Sequence, residues 1–204
     1  MNTNNILLIK KEDVIEQRPL LPDESFVVDA LNPLEFFLII YDGRVKMNID
    51  LKEEGAHCSI KTLYLADEKN KINLDINVNH FAAETKSSQL IKGIATGQSQ
   101  VFFNGNVYID NKAQRSDGIQ NHRALLLSDD AMVQAVPALE IYADDVKCAH
   151  GSATGPLDKN ALFYLLSRGI SEKTSKKMLL ESFVSDMIPE EYYSITKQWI
   201  EKNV

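Results

Sequence analysis

Two residues that could bind a metal stand close together near position 150. The 204-residue sequence contains two cysteines and four histidines, and only one residue separates Cys148 from His150. Residues two apart on a β-strand point to the same face, so a strand here would place a thiol and an imidazole side by side. Such a pair can bind iron, zinc or copper if further ligands come from another segment or another chain.

The Cys148–His150 pair has two interpretations that the residue types leave open. In the first, the imidazole lowers the pKa of the Cys148 thiol and makes a thiolate available. In the second, Cys148 is a small buried hydrophobic residue and His150 is a hydrogen-bonded residue at a strand end. The neighbouring His57 and Cys58 form a weaker candidate, because adjacent strand residues face opposite ways.

Several motifs of enzyme active sites are absent from the sequence. It contains no G-x-x-x-x-G-K-[ST] phosphate-binding loop, no G-x-S-x-G elbow and no H-E-x-x-H. A Cys/His hydrolase is also disfavoured, because no oxyanion-hole loop or orienting third residue is evident. We therefore expect no nucleotide cofactor and no catalytic activity.

Charge and composition narrow the class of partner. The net charge of −7 argues against a nucleic-acid-binding protein, which needs a basic face. No apolar run approaches the roughly 18 residues that span a bilayer, so no membrane association is expected. Two cysteines far apart in sequence favour a cytoplasmic protein with reduced thiols over a secreted disulfide-bonded one.

Residues 1–154 show a β-strand pattern and carry the whole negative excess, since residues 155–204 contain seven basic and seven acidic residues. Several short segments alternate between apolar and polar residues and are separated by turn-forming pairs. No amphipathic helix interrupts them, which excludes a βαβ architecture and leaves a sandwich, a barrel or a β-solenoid. The predicted strands are 26–30, 36–41, 45–51, 59–66, 72–80, 99–110, 123–128 and 138–143.

Residues 155–204 show the spacing of three short amphipathic helices. Asp158 can cap the first helix and Gly169 can end it, Ser171 can cap the second, and Pro189 can open the third. Helices of this length are unstable alone, so we expect them to pack on the β-body or on a partner. The predicted domains are therefore 1–154 and 155–204.

A family resemblance covers residues 121–188. The segments HRALLLSDDA, VPALEIYADDVKCAHG and FYLLSRGI resemble, in this order, the SufB/SufD proteins of the SUF iron–sulfur cluster assembly system. The resemblance implies a right-handed parallel β-helix, a β-solenoid, with a small C-terminal helical domain. Family members usually have a long N-terminal helical region, so this sequence is interpreted as either a natural short form or a fragment.

Within that family the chain resembles SufD. SufB-like chains carry a sulfur-accepting cysteine shortly before the Val-Pro pair, where this sequence has Asp129, Asp130 and Ala131. They also have a glutamate after the histidine that corresponds to His150, where this chain has Gly151. In SufD-like chains that histidine lies near the subunit interface and is implicated in cluster assembly.

The resemblance implies a noncatalytic scaffold that pairs through the end of its β-helix, with a SufB-like subunit or with itself. Cys148 and His150 are the expected metal and cofactor ligands, for iron or an iron–sulfur cluster held transiently at that interface. The C-terminal helices are expected to dock a SufC-like ABC ATPase, with Phe163, Tyr164 and Arg168 as contacts. The alternative is a self-associating β-helix that binds a metal or is structural, without a SUF role.

Overall fold

Twelve strands and three α-helices form the part of the chain that is described in the computed structural model, residues 5–11, 14–30 and 33–204. The strands are β1 (Ile6–Lys11), β2 (Val14–Pro19), β3 (Asp23–Val28), β4 (Leu34–Ile40), β5 (Gly43–Leu51), β6 (His57–Ala66), β7 (Lys71–His80), β8 (Lys86–Ala95), β9 (Gln100–Ile109), β10 (Ser116–Leu126), β11 (Met132–Ile141) and β12 (Val146–Pro156). The helices are α1 (Lys159–Ser167), α2 (Glu172–Val184) and α3 (Tyr193–Asn203).

From β3 onward, successive strands alternate between two sheets. One sheet has the order β11-β9-β7-β5-β3, and the other has the order β12-β10-β8-β6-β4-β1-β2. The neighbours from β3 to β12 are parallel, and β1 pairs antiparallel with β2 and β4. This architecture is a parallel β-helix followed by helices, as predicted. Of the three architectures that strand alternation left open, the chain adopts the solenoid and not the sandwich or the barrel.

The strand alternation arises because one face of each strand fills the space between the sheets. In β5, Val45, Met47, Ile49 and Leu51 are buried in this core, while the residues between them are more exposed. On the outer face, residues 29 positions apart in sequence meet across turns, as in the Asn77 Nδ2 donation to Asn48 Oδ1 at 3.0 Å. One turn of the solenoid thus stacks on the next through both apolar packing and side-chain hydrogen bonds.

Strand β8 was missed by the sequence prediction. Its inward positions include Ser87, Gln89 and Gly93, so it lacks the apolar alternation that identifies a half-buried strand. Gly93 is needed for packing, because a Cβ atom there would lie 1.8 Å from ring atoms of Tyr64. The later turns add further polar residues to this interior, since Gln120 and His122 of β10 are also inward-facing and buried.

The predicted helix caps are present. Asp158 accepts hydrogen bonds from two first-turn N–H groups of α1, and Ser171 accepts one in α2. Gly169 follows α1 at φ +80°, a left-handed conformation that ends a helix at little cost for glycine. Pro189 does not open α3 directly, because a 3₁₀ turn (Glu190–Tyr192) comes between them.

Helices α2 and α3 pack on the outer face of the seven-stranded sheet. Leu63, Leu65 and Ile94 of that face form one buried cluster with helix residues that include Leu180 and Trp199. This second packed face explains why β6 is apolar on both sides near its end. Within the described ranges, no helix is long and apolar enough to cross a membrane.

Candidate functional site

Strand β12 carries the candidate pair at one end of the β-helix. It runs parallel to β10, with Cys148 opposite Gly118 and His150 opposite Gln120. Gly118 and Gln120 are inward-facing and buried. Because facing residues in a sheet share a side, Cys148 and His150 both point toward the interior of the solenoid.

This end of the β-helix is open. Strands β11 and β12 are each an edge strand of their sheet, and no strand of the described chain lies beyond them at this end. Cys148 is therefore only partly buried and His150 is exposed. An edge strand presents unpaired backbone N–H and C=O groups, which can pair with another chain. Apolar side chains on β11, Met132, Val136 and Ile141, are also exposed.

The Cys148 thiol is not activated in the isolated chain. It packs with Leu139 and Val146 against a small buried cluster that includes Val107. Burial raises the thiol pKa, and a hydrogen bond with the Gly118 backbone opposes this only in part. The expectation that His150 lowers this pKa is therefore wrong, because desolvation of the sulfur dominates. A metal ligand at Cys148 must lose its proton when the metal binds.

The open end holds two candidate metal ligands from this chain, Cys148 and His150. Among residues 5–11, 14–30 and 33–204, no group of three or more His, Cys, Asp or Glu side chains could hold a metal ion. His57 and Cys58 face opposite ways, with His57 exposed and Cys58 buried, and burial raises the pKa of Cys58 to about 12. They do not join the Cys148–His150 pair.

Polar residues beneath the open end were missed by the sequence prediction. Gln120 Nε2 donates to Gln89 Oε1 at 2.9 Å, and His122 Nδ1 lies 3.0 Å from Ser152 Oγ. These partners stand 31 and 30 residues apart, which is one turn of the solenoid. Recurring polar residues at this spacing are the signal that could have identified them.

The three predicted docking residues lie on an exposed surface of α1. Phe163 is 72% exposed and Tyr164 57% exposed, and the Arg168 guanidinium lies 5.1 Å from the Tyr164 ring centroid. No residue of α1 is buried, so these aromatic rings do not belong to the core. We call Phe163, Tyr164, Leu166 and Arg168 the α1 patch.

Comparison with known proteins identifies the family. A family profile described as "SUF system FeS cluster assembly, SufBD core domain" matches residues 41–183. The iron–sulfur cluster assembly protein SufD of Escherichia coli is 31% identical, and the match covers 71% of this chain and 34% of that protein. Protein ABCI7, chloroplastic, of Arabidopsis thaliana is 44% identical, over 72% of this chain and 31% of that protein.

A SufBD family protein of Mycobacterium leprae is 32% identical, over 71% of this chain and 39% of its own length. This chain thus matches about a third of the length of these curated relatives. Because the matched core spans β5 to α2, it includes both the open end and the α1 patch. From the profile and these relatives together, the chain belongs to the SufB/SufD family of the SUF iron–sulfur cluster assembly system and is SufD-like.

Proposed function

We propose that this chain is a noncatalytic scaffold subunit of iron–sulfur cluster assembly. It pairs through the open end of its β-helix with a SufB-like subunit or with a second copy of itself. Cys148 and His150 contribute ligands to iron or to an iron–sulfur cluster held transiently at that interface. The α1 patch docks a SufC-type ABC ATPase, which supplies the nucleotide chemistry that this sequence lacks.

The observation that carries the proposal is the position of Cys148 and His150 on the uncovered last turn. Both side chains share one face of an edge strand, and two ligands cannot complete a tetrahedral metal site. The adjacent edges of β11 and β12 can accept strands from a second chain, which would bring the missing ligands within reach. Gly151 and Ala153 are small, so a backbone can approach β12 closely.

The α1 patch supports docking of a separate protein. The exposed apolar side chains Phe163, Tyr164 and Leu166 cost free energy in water, and burial of these side chains against a partner would recover that free energy. Arg168 adds a charge that is already held against Tyr164 and can pair with an acidic group of the partner. An aromatic–arginine combination is typical of residues that dominate binding energy at protein interfaces.

Metal binding tests the ligand assignment. The full chain is titrated with Fe²⁺ under anaerobic conditions, and its mass is measured by light scattering at each protein concentration. Affinity should rise with dimerisation, and Cys148→Ser and His150→Ala should each weaken it with the fold intact by circular dichroism. His57→Ala is the matched control, because it removes an exposed histidine that lies on β6, away from the open end. Equal metal uptake by the wild type and the Cys148→Ser/His150→Ala double variant would refute the ligand assignment.

Docking is tested by pull-down of a SufC-type ATPase with the full chain, alone and together with a SufB-like subunit. The double variant Phe163→Ala/Arg168→Glu should lose ATPase binding, while Leu21→Ala, a change at an exposed apolar residue of a distant turn, should retain it. Unchanged binding by the folded double variant would place docking elsewhere. A homodimer that binds no ATPase in any form would favour the self-associating alternative.

A further inference from the structure

A hydrogen-bonded chain of three side chains leads from the buried interior to the open end. The Tyr64 hydroxyl lies 2.9 Å from His122 Nε2, and His122 Nδ1 lies 3.0 Å from Ser152 Oγ. Tyr64 is 0% and His122 1% exposed, whereas Ser152 is exposed on β12. Ser152 is opposite His122 in the β10–β12 register, so it shares the inward face with Cys148 and His150.

Packing holds the His122 ring in this position. The Phe103 ring stacks on it with a centroid distance of 5.2 Å and an interplanar angle of 16°. The Tyr64 ring in turn occupies the space that a Cβ atom of Gly93 would fill. The imidazole and the phenol therefore have little freedom to turn away from each other.

The burial of Tyr64 determines where the protons of the chain lie. His122 Nε2 is its only hydrogen-bond partner among the described residues, so the phenol must donate its single proton there or leave a buried donor unpaired. Burial lowers the pKa of His122 to about 4, so near neutral pH the ring is uncharged and has one acceptor nitrogen. With Nε2 accepting, the ring proton is on Nδ1 and is donated to Ser152 Oγ.

This assignment directs the remaining proton of Ser152 outward. Its oxygen accepts from His122, and no second partner among the described residues takes its proton, so the hydroxyl is free to donate that proton to a ligand at the open end. Residues two apart on a strand are about 6.6 Å apart, whereas Cys148 is about twice as far from Ser152. The hydroxyl is thus within reach of a ligand bound to a metal at His150 and not of the Cys148 sulfur.

We propose that Ser152 binds an anionic sulfur ligand of a metal at His150, and that Tyr64 and His122 are positioning residues that hold the Ser152 hydroxyl as a donor. This rests on the proposed metal role of His150. Sulfide and thiolate are the anions that iron takes beside cysteine and histidine, and hydrogen bonds to such sulfurs tune iron–sulfur centres. The sulfur comes from inorganic sulfide or from a cysteine of the second chain.

The proton assignment is tested without any metal. Long-range ¹H–¹⁵N correlation spectra of the full chain with labelled histidine should show His122 protonated on Nδ1 alone. In Tyr64→Phe the donor to Nε2 is gone, so a mixture of the two tautomers is expected. Tyr41→Phe is the matched control, because Tyr41 is also buried but its hydroxyl has no hydrogen-bond partner. A wild-type His122 protonated on Nε2 would overturn the proposal.

The ligand is tested with the Co²⁺-loaded full chain, titrated with hydrosulfide in one arm and with N-acetylcysteine in the other. Ser152→Ala should leave the Co²⁺ affinity unchanged and should weaken binding of hydrosulfide or of N-acetylcysteine, whichever Ser152 binds, by about tenfold or more. Ser152→Thr keeps the hydroxyl and should retain the binding of that anion. The arm that responds identifies sulfide or thiolate as the source. Tyr64→Phe should also weaken anion binding. It should cause no further loss in the Ser152→Ala background, because Tyr64 acts through Ser152.

Two outcomes count against the proposal in different ways. Equal anion affinity in wild type and Ser152→Ala would refute the role of Ser152 even if Co²⁺ binds. No Co²⁺ binding by the wild type would refute the proposed metal role of His150 and with it the proposed binding of an anion by Ser152. The tautomer of His122 would still be read from the metal-free spectra.

Discussion

Acid should unfold this protein through two histidines buried inside the β-helix. His80 is 0% exposed, with Nδ1 2.8 Å from Thr85 Oγ1 and Nε2 2.8 Å from Ser87 Oγ. Burial lowers its pKa to about 4, although the charge of Asp117 opposes the shift. His122 is lowered to about 4 by burial as well. Neither imidazole has a carboxylate as hydrogen-bond partner, so protonation would place a charge in the core without an ion-pair partner in contact.

The size and direction of the effect follow from these pKa values. An unfolded histidine titrates near 6.5, so the unfolded chain binds more protons between about pH 6.5 and pH 4. The free energy of unfolding therefore falls as the pH falls through this window, by about 3 kcal/mol for each histidine and about 6 kcal/mol for both. This is comparable with the whole stability of a typical domain, about 5–15 kcal/mol.

Urea unfolding followed by circular dichroism, from about pH 7 to about pH 4, measures the effect. His80→Gln has no group that titrates in this range, so its loss of stability across the window should be smaller than that of the wild type by about 3 kcal/mol. His57→Gln, a change at an exposed histidine, should follow the wild type. If His80→Gln folds and loses as much stability as the wild type, the buried-histidine explanation is wrong.

Two further predictions concern the packing around Tyr64. Gly93→Ala should destabilise the protein by about 1–3 kcal/mol or more, since the new Cβ atom meets the Tyr64 ring, whereas Gly155→Ala, with no atom within 4 Å, should change the urea midpoint little. Tyr64→Phe should lower stability by about 1 kcal/mol in thermal unfolding, because it leaves His122 Nε2 without a hydrogen-bond partner, while Tyr41→Phe should be neutral or stabilising because its hydroxyl is unpaired. Equal effects within either pair would contradict the packing or the hydrogen bonding described here.

Local patterns predicted much of the fold because the forces behind them are local. Alternation identified β5, β7 and β9, and the capping residues Asp158 and Ser171 marked the helix starts correctly. Strand β8 escaped because Ser87, Gln89 and Gly93 interrupt its inward apolar positions. The buried Gln89 accepts a hydrogen bond from Gln120, which lies on the next turn. The choice of solenoid came from the family resemblance, since alternation is common to sandwiches, barrels and solenoids.

The spacing of Cys148 and His150 determined by itself that they share a face once the segment is a strand. Only the tertiary structure decided that this strand is the last of its sheet, that burial raises the Cys148 pKa, and that α1 is left exposed.

The tertiary structure also decided the hydrogen-bonded chain from Tyr64 through His122 to Ser152. Tyr64 and His122 are 58 residues apart in sequence and meet only through the register of stacked turns. Spacing along one strand is a property of the local backbone, whereas contacts and burial depend on how distant segments pack.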